Sequence, residues 1–272
     1  MSSVLVLSSH TKPGSPAAIN HAVYCERHGY DYLFDATPYR LLSPFDQKTM
    51  AAIGVLKRSR AEWVFWVDDD AFFMDHSKTL EAIIEGAGSA DFIFCRSPVN
   101  LKGQWSYINA GLYFVRNTPR AIEVLEDVLS ADGKAVRDWW DADRFGMYTT
   151  LNSDQEAFVY VLERRGMLNT SAVAILDHLA FNARPYHFTK RHDENFICHL
   201  ASHTDKYVPW ADMRSRFGLD RYLLPQGALQ AADDFRYSVA AQDLKPKPAP
   251  TIIGRARRKA LGMLSPAGLR TR

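Results

Sequence analysis

Short apolar runs alternate along the chain with longer segments in which apolar residues recur every three or four positions. Short runs bounded by polar or turn residues are typical of strands, and the longer periodic segments are typical of amphipathic helices. The pattern predicts strands over 4–8, 30–35, 63–67, 91–95, 111–115, 173–176 and 196–200. It predicts helices over 17–28, 45–59, 80–85, 119–129 and 154–165. This alternation predicts an α/β fold, in which helices cover a sheet.

Several predicted helix ends carry residues that commonly cap helices. Gly29 follows the first helix, where a glycine readily takes the left-handed conformation. Thr118 and Pro119 are a good N-cap and first helical residue. Ser153 precedes the helix at 154–165, and with Glu156 three residues later it predicts a capping box.

The composition excludes several classes of protein. The 272 residues are 47% hydrophobic and 24% charged, which excludes disorder, collagen and coiled coil as overall descriptions. No apolar run approaches the ~20 residues of a membrane span, and the first residues predict a buried strand rather than a signal peptide. The three cysteines are widely spaced, which favours reduced, buried thiols over a zinc cluster. We therefore expect a cytoplasmic protein.

Positive charge is concentrated at the C-terminus. Residues 245–272 carry eight basic side chains and no acidic one, whereas the net charge of the whole chain is only +2, so the preceding residues are acidic. This tail begins with a proline-rich linker. Residues 252–272 predict either a basic amphipathic helix on an anionic membrane surface or a solvated terminus. The first alternative would place the protein peripherally on the inner face of a membrane.

These features divide the chain into a main domain at 1–215, a helical extension at 216–244 and the basic tail at 245–272. Within the main domain, the polar and aromatic segment 132–152 predicts a loop. Nucleic acid is not expected as a partner, because the body of the chain is acidic and carries no recognised binding motif.

Three consecutive aspartates, Asp68, Asp69 and Asp70, directly follow the strand predicted at 63–67. That strand is nearly continuous in apolar residues, as in strands buried on both faces. Carboxylates at its end would repel one another and lose hydration unless a cation lies between them. Asp68 and Asp70 can point the same way in an extended chain, and Mg²⁺ or Mn²⁺ is typically held by one or two carboxylates plus substrate phosphates. The alternative is a polar turn whose acids stabilise the N-terminus of a helix.

Three further segments place polar residues at the ends of predicted elements. Asn109 and Gly111 lie at the start of the strand at 111–115, within the run Asn-Ala-Gly-Leu-Tyr-Phe-Val-Arg-Asn. Asp154 and Gln155 open the helix at 154–165. The segment 196–210 combines an apolar run with two histidines and a lysine.

In this order and at these distances, the segments resemble the metal-dependent GT-A glycosyltransferases of the galactosyltransferase GMA12/MNN10 type, over about residues 1–210. That family includes α-galactosyl-, α-mannosyl- and xylosyltransferases, and the glycogenin-like retaining transferases are similar in the same places. The resemblance implies a single GT-A domain, which is a Rossmann-like mixed sheet sandwiched by helices.

The resemblance implies a site for Mn²⁺ or Mg²⁺. The D-x-D carboxylates of the family correspond to Asp68 and Asp70, and a late histidine that completes the metal shell corresponds to His199. The family's glycine after that histidine is Ser202 here, and His203 follows it, so His203 is the alternative ligand. His199 is favoured because it directly follows the apolar run.

The resemblance also implies a site for a UDP-sugar. Asp154 would hold sugar hydroxyls and Gln155 would lie near the anomeric carbon, which makes these two residues the catalytic candidates. Lys206 would meet the diphosphate. The residues expected to bind the nucleotide-sugar are Ser8, Ser9, His10, Lys48, Asp69, Asn109, Ala110, Gly111 and Lys206.

Each assignment competes with a purely structural explanation. Asp154 would serve only the helix dipole, Asn109 would only cap a turn, and Lys48 would only lie in solvent on a helix. Arg116 would only pair with an acid near the sheet. Trp105, Trp139 and Trp140 either stack on sugar rings of the acceptor or pack internally.

The function implied by the resemblance is retaining transfer of a hexose, with galactose favoured, from a UDP-sugar to a carbohydrate hydroxyl. The expected partners are the nucleotide-sugar donor and a carbohydrate or glycolipid acceptor, such as a surface polysaccharide or a lipopolysaccharide core. One alternative is a metal-dependent phosphohydrolase that uses the acids at 68–70, although it would need further acid-rich motifs. Another is a non-catalytic nucleotide-sugar or carbohydrate-binding protein of the same fold.

Overall fold

A computed structural model of the chain describes residues 3–9, 16–36, 43–100, 102–201, 203 and 205–223. These residues lie in the first of the two units into which the chain divides, Met1–Leu229. His10, the tail at 245–272 and most of the extension at 216–244 lie outside the described residues, so what was predicted of them stays a prediction.

The described residues form eight strands and eight α-helices, which alternate one by one only as far as β3. The strands are β1 Val4–Ser9, β2 Asp31–Asp35, β3 Trp63–Val67, β4 Ala71–Phe73, β5 Phe92–Cys95, β6 Asn109–Arg116, β7 Val173–Leu176 and β8 Ile197–His199. The helices are α1 Ala17–His28, α2 Pro44–Arg58, α3 Glu81–Gly86, α4 Pro119–Ser130, α5 Gly133–Trp139, α6 Ala142–Phe145, α7 Asp154–Arg164 and α8 Tyr207–Phe217. The seven predicted strands and five predicted helices are confirmed, with small shifts at their ends.

Six strands form one mixed sheet in the order β2-β1-β3-β6-β5-β7. Strands β2, β1 and β3 are parallel, and β6 runs antiparallel to both of its neighbours, β3 and β5. A second sheet contains β4 and β8 alone, paired antiparallel. The carboxyl end of β3 and the start of β6 therefore meet at one edge of the large sheet, where the predicted site residues lie.

Strand β3 lies inside the sheet, and all five of its residues are buried. Val64 and Trp66 pack into a core cluster with residues of α2, α4 and α7. Trp63, Phe65 and Val67 pack into a second cluster, which includes residues of α1. Because side chains alternate between the two faces of a strand, an unbroken apolar run needs apolar cover on both sides. The prediction of a mixed sheet sandwiched by helices is confirmed.

The predicted helix caps at Gly29 and Thr118 are confirmed, whereas the capping box predicted at Ser153 is not formed. Gly29 has a left-handed φ of 70°, and Thr118 accepts a hydrogen bond from the amide of Ala121, as expected of caps. Ser153 does cap α7, through the amide of Gln155, but the capping box is wrong. Glu156 is fully buried and accepts hydrogen bonds from the amide and the hydroxyl of Thr149, at 2.9 and 2.5 Å. The carboxylate therefore holds the preceding turn rather than the N-cap amide.

The predicted loop at 132–152 is wrong, because it contains α5 and α6. Asp132 and Asp141 cap these two short helices by accepting hydrogen bonds from main-chain amides. Phe145 is buried against Trp139 and Trp140, with ring centroids 5.2 and 5.4 Å away. Both tryptophans therefore pack against the core, and each stays partly exposed.

Two elements near the site were not predicted, β4 and α8. Strand β4 begins directly after the three aspartates, so the alternative in which these acids stabilise a helix N-terminus is wrong. Its pairing places Ala71 opposite His199 of β8.

Other sequence predictions concern the chain as a whole. None of the helices among the described residues has the length and apolar character needed to cross a membrane. The three cysteines are buried free thiols, as predicted.

Candidate active site

The main chain brings Asp68, Asp70 and His199 together. The amide of Asp68 donates to the carbonyl of Gly111 at 2.9 Å, which ties the end of β3 to β6. The amide of Leu200 donates to the carbonyl of Asp70, also at 2.9 Å, which ties the aspartates to the end of β8. As a result, one potential metal-ligating atom from each of Asp68, Asp70 and His199 lies within 4.8 Å of the others.

Two histidines were candidates for the third position. His199 is buried, and its Nε2 lies 3.1 Å from Oδ1 of Asp70. His203 is exposed and does not belong to the three-residue group. Of the two histidines, His199 is therefore the one in the group that could hold a metal ion.

Two lysines face the aspartates. Lys206 Nζ lies 2.7 Å from Oδ2 of Asp70 and donates to the carbonyl of Leu200 at 2.8 Å. Lys48 Nζ lies 2.7 Å from Oδ2 of Asp154 and 3.6 Å from Oδ1 of Asp68. Lys48 is only 5% exposed, so the interpretation that it lies in solvent on a helix is wrong.

Lys48 makes a third contact in addition to those with Asp154 and Asp68. It lies in α2, and its ammonium also donates to the carbonyl of Ala110 in β6 at 2.9 Å. Asp154 is the first residue of α7 and is itself buried, so it does more than serve the helix dipole. The Lys48–Asp154 pair thus joins the start of α7 to the edge of the sheet that carries the aspartates.

The charges of the group are unevenly compensated. Burial raises the pKa of Asp68 to about 7, against the opposing effect of Lys48 and with a further increase from the charge of Asp70. Burial also favours the protonated form of Asp70, but His199, when its ring is protonated, and Lys206 outweigh it and hold the pKa of that carboxyl below its usual range. Burial raises the pKa of Asp154 against the attraction of Lys48. An additional cation beside Asp68 would therefore be favourable.

The start of β6 lies in close contact with His199 and Asp68. A Cβ atom at Gly111 would lie 2.3 Å from Cε1 of His199 and 2.9 Å from Oδ2 of Asp68, so only glycine fits there. Asn109 accepts a hydrogen bond from the amide of Gly111 at 3.2 Å, and Gln155 accepts one from the amide of Ala110 at 3.4 Å. The structure therefore brings the predicted residues of β6 and α7 to the aspartates.

A cleft with an empty volume of about 940 Å³ opens beside the aspartates. Its polar lining includes the predicted residues Ser9, Lys48, Asp68, Asp69, Asp70 and Lys206. Its apolar lining was not predicted and comprises Pro16, Pro44, Phe45, Trp66, Phe72, Tyr207 and Trp210. The rings of Phe72 and Trp210 stack on each other with centroids 3.7 Å apart, and both are buried beneath the cleft surface.

Seven predicted residues among those that the structure describes lie outside this lining: Ser8, Asn109, Ala110, Gly111, Asp154, Gln155 and His199. Ser8 is buried, and its hydroxyl is 2.7 Å from that of Tyr32, so its side chain is engaged within the domain. Asp154 lines a second cavity, with an empty volume of about 640 Å³, whereas Lys48 lines the first. The pair formed by these two residues therefore lies between the two cavities.

Comparison with known proteins assigns the chain to a family. The sequence profile of the nucleotide-diphospho-sugar transferases matches residues 64–209, more than half of the chain. The chain belongs to this family. A second profile, that of the galactosyl transferase GMA12/MNN10 family, matches residues 8–86. The predicted resemblance to this kind of family is thus confirmed.

Individual relatives are more distant. Galactomannan galactosyltransferase 1 of Cyamopsis tetragonoloba is 27% identical over 120 residues, which cover 39% of this chain and 25% of that protein. Probable glycosyltransferase 7 of Oryza sativa subsp. indica is 27% identical over 185 residues, which cover 60% of this chain and 40% of that protein. The aligned region thus spans less than half the length of either curated relative.

A solved structure shares the fold of this member of the nucleotide-diphospho-sugar transferases. It is a glycosyltransferase involved in the glycosylation of the major capsid of PBCV-1, and it superposes with a TM-score of 0.58. The match covers 78% of this chain and 98% of that chain at 16% identity. The predicted fold class, a glycosyltransferase fold with a Rossmann-like mixed sheet, is confirmed.

Proposed function

We propose that this chain is a divalent-metal-dependent, retaining glycosyltransferase that moves a hexose from a UDP-sugar to a hydroxyl of a carbohydrate acceptor. The observation that carries the proposal is the convergence of Asp68, Asp70 and His199, with Lys206 beside them, at the cleft. Galactose is the favoured hexose, because the matched profile and one relative are named for galactosyl transfer. A surface polysaccharide or a lipopolysaccharide core is the acceptor we propose.

The residues of the site fit a divalent cation. Two carboxylates and an imidazole nitrogen offer lone pairs, and they face one another across less than 4.8 Å. Carboxylate oxygens suit Mg²⁺ and Mn²⁺, and the imidazole nitrogen favours Mn²⁺ of the two. When bound, such an ion would stabilise the negative charge that grows on a diphosphate leaving group.

Transfer breaks the bond between the anomeric carbon and a diphosphate oxygen, so charge grows on the phosphate as the bond lengthens. Lys206 has a partly exposed ammonium directed at Asp70, from where it can donate to a phosphate oxygen. An interaction that strengthens as charge develops lowers the barrier rather than merely tightening binding. We therefore assign Lys206 to the diphosphate.

The sugar is assigned to the region where α7 begins, between the cleft and the second cavity. Asp154, held by Lys48, would accept hydrogen bonds from sugar hydroxyls, and Gln155 would lie near the anomeric carbon. An amide can accompany a cationic sugar without forming a stable covalent ester with it. Retention by departure and attack on the same face of the sugar is consistent with that choice of residue.

The nucleoside is assigned to the apolar part of the cleft. Tyr207 lines this part and is half exposed, so its ring offers a face on which a pyrimidine ring can lie. Asp69 and Ser9 line the same cleft and offer acceptors to ribose hydroxyls. The size and the polarity of this lining suit a nucleotide-sugar better than a small phosphate ester.

Calorimetric titration of UDP, with and without Mn²⁺, tests the proposal together with UDP release from a panel of UDP-sugars and GDP-mannose. We expect UDP binding to need the metal, and one UDP-hexose to be turned over faster than the others. Asp70→Ala should abolish both results, whereas Asp212→Ala, which removes an exposed acid of α8 paired with Arg216, should change neither. UDP binding that is indifferent to metal, with no donor consumed, would contradict the proposal.

A further inference from the structure

Behind His199 lies a buried polar pair that no sequence motif contains, Asn182 and Arg184. The segment that carries them runs alongside β8: the amide of Ala183 donates to the carbonyl of Ile197 at 3.0 Å, and the amide of His199 donates to the carbonyl of Ala183 at 2.8 Å. This pairing places Asn182, which is fully buried, beside the imidazole of His199.

The orientation of the Asn182 amide is set by Arg184. Arg184 Nη1 lies 2.7 Å from Oδ1 of Asn182 and 3.0 Å from the main-chain oxygen of the same residue. A guanidinium nitrogen only donates, so the atom that faces it must be the amide oxygen. The amide nitrogen of Asn182 is buried without a partner among the described residues, so the partners of the oxygen decide the orientation.

That orientation decides which nitrogen of His199 carries the proton. Oδ1 of Asn182 lies 2.8 Å from Nδ1 of His199, and because this oxygen only accepts, Nδ1 must donate. In the neutral imidazole, Nε2 then has a lone pair. Nε2 lies 3.1 Å from Oδ1 of Asp70, so two lone pairs face each other where a cation would separate them.

We propose that Asn182, oriented by Arg184, is a positioning residue that fixes His199 in the Nδ1–H tautomer and so directs the Nε2 lone pair at the divalent cation. This inference rests on the proposed function, since it assumes that the cation is held by Asp68, Asp70 and His199. Histidines that ligate metals commonly donate their other N–H to such a partner, and loss of the partner costs ~10–100-fold in metal affinity.

Nitrogen-15 NMR of the histidine rings in the metal-free full chain tests the tautomer directly, with His199→Gln to assign the signals. At pH 8 we expect a protonated Nδ1 and an unprotonated Nε2 for His199. An Nε2–H tautomer, or an imidazolium that persists at pH 8, would overturn the proposal, because either one places a proton on the atom that should bind the cation.

Titration with Mn²⁺ alone tests the consequence. Asn182→Leu removes the acceptor and should weaken Mn²⁺ binding ~10–100-fold. Asn182→Asp keeps an acceptor in the same place and should retain the affinity. The matched control is Asn195→Leu, at another buried asparagine, whose amide donates to the carbonyl of His187 at 2.9 Å. An Asn182→Leu variant with unchanged affinity and unchanged tautomer would reject the proposal.

Two further results separate this inference from the proposed function. If Asn182→Leu does not fold, Arg184→Met replaces it, and we expect a mixture of His199 tautomers because the amide is then free to turn. If the wild type shows the expected tautomer but binds no Mn²⁺, the metal-dependent function is contradicted while the control of the tautomer by Asn182 is upheld. Strong Mn²⁺ binding by a wild type in the Nε2–H form would uphold the metal-dependent function and contradict the control of the tautomer by Asn182.

Discussion

Gly111 is the residue at which one added methyl group would disturb the site most. Its Cβ position lies 2.3 Å from Cε1 of His199 and 2.9 Å from Oδ2 of Asp68, closer than atoms can approach. Gly111→Ala should therefore move two of the three proposed ligands, and we expect Mn²⁺ affinity to fall ~10-fold or more, as it does when ligand orientation is lost. Titration with Mn²⁺ measures the effect.

Gly86 provides the matched control. It lies at the end of α3, and a Cβ atom there would meet nothing within 4 Å. Gly86→Ala should leave Mn²⁺ affinity unchanged and should stabilise the chain by ~0.5 kcal/mol, because alanine loses less conformational freedom in a helix. Equal Mn²⁺ affinities for the two alanine variants would argue against a cation at His199 and Asp68.

At the scale of single residues, the sequence identifies the charged residues of the site but not the residues that position them, such as Asn182. Asp68, Asp70 and His199 follow apolar runs that predict strands, so the sequence indicates that they lie at an edge of the sheet. A signal for the burial of Lys48 was also present, because it shares a helical face with Ala52 and Val55. Asn182 carries no such signal, since its role comes from a contact with β8 that is distant in sequence.

Lys48 acts at the scale of elements. Its ammonium, in α2, contacts the end of β3, the main chain of β6 and the start of α7. Lys48→Met would leave the buried Asp154 and the partly exposed Asp68 without their shared cation, and we expect a loss of about 3 kcal/mol or more in the free energy of unfolding. Urea denaturation measures that loss.

An exposed ion pair of the same helix gives the comparison. Lys57 lies 2.5 Å from Glu126 of α4, and both side chains are about half exposed. Lys57→Met should cost less than ~1 kcal/mol, because exposed pairs are screened by water. Similar losses in the two variants would mean that Lys48 does not tie these elements together.

Length explains only some of the elements that the sequence misses, because the short β8 and α3 are predicted, whereas the eleven-residue α8 is not. The strands of the large sheet are continuous apolar runs and were found, whereas β4 is only three residues long and begins directly after the aspartates. Helices α5 and α6 have seven and four residues, too few for an apolar stripe to repeat, and their polar composition favoured a loop. Such short elements are held by tertiary contacts, which a local pattern does not record.

At the scale of the whole molecule, alternation of strands and helices predicts the α/β class but not the order of the strands. An apolar run has no direction, so nothing in it indicates that β6 would enter between β3 and β5 antiparallel to both. That insertion places Asn109 to Gly111 beside the aspartates. The motif spacing was informative because the family resemblance supplied the topology that periodicity lacks.

The stability of the whole domain should depend on pH through His21, which joins α1 to β4. Its ring is fully buried, and Nε2 lies 2.8 Å from the carbonyl of Ala71, so Nε2 donates and Nδ1 is left without a partner among the described residues. Burial lowers the pKa of His21 to about 4 in the folded chain, against the smaller opposing effect of that hydrogen bond. The unfolded chain therefore binds a proton first as the pH falls.

The stabilisation from the neutral ring is complete above the unfolded pKa of about 6.5 and is lost as the pH falls towards 4, for a total of about 3 kcal/mol. Urea denaturation between pH 7.5 and pH 4.5 measures this slope. His21→Gln should flatten the slope, because it removes the titrating group, even if it lowers stability at pH 7.5. His76, whose pKa burial lowers to about 3, adds the same sign of dependence, so some slope should remain in the variant. Parallel curves for His21→Gln and the wild type would show that the contact between α1 and β4 does not set the response to acid.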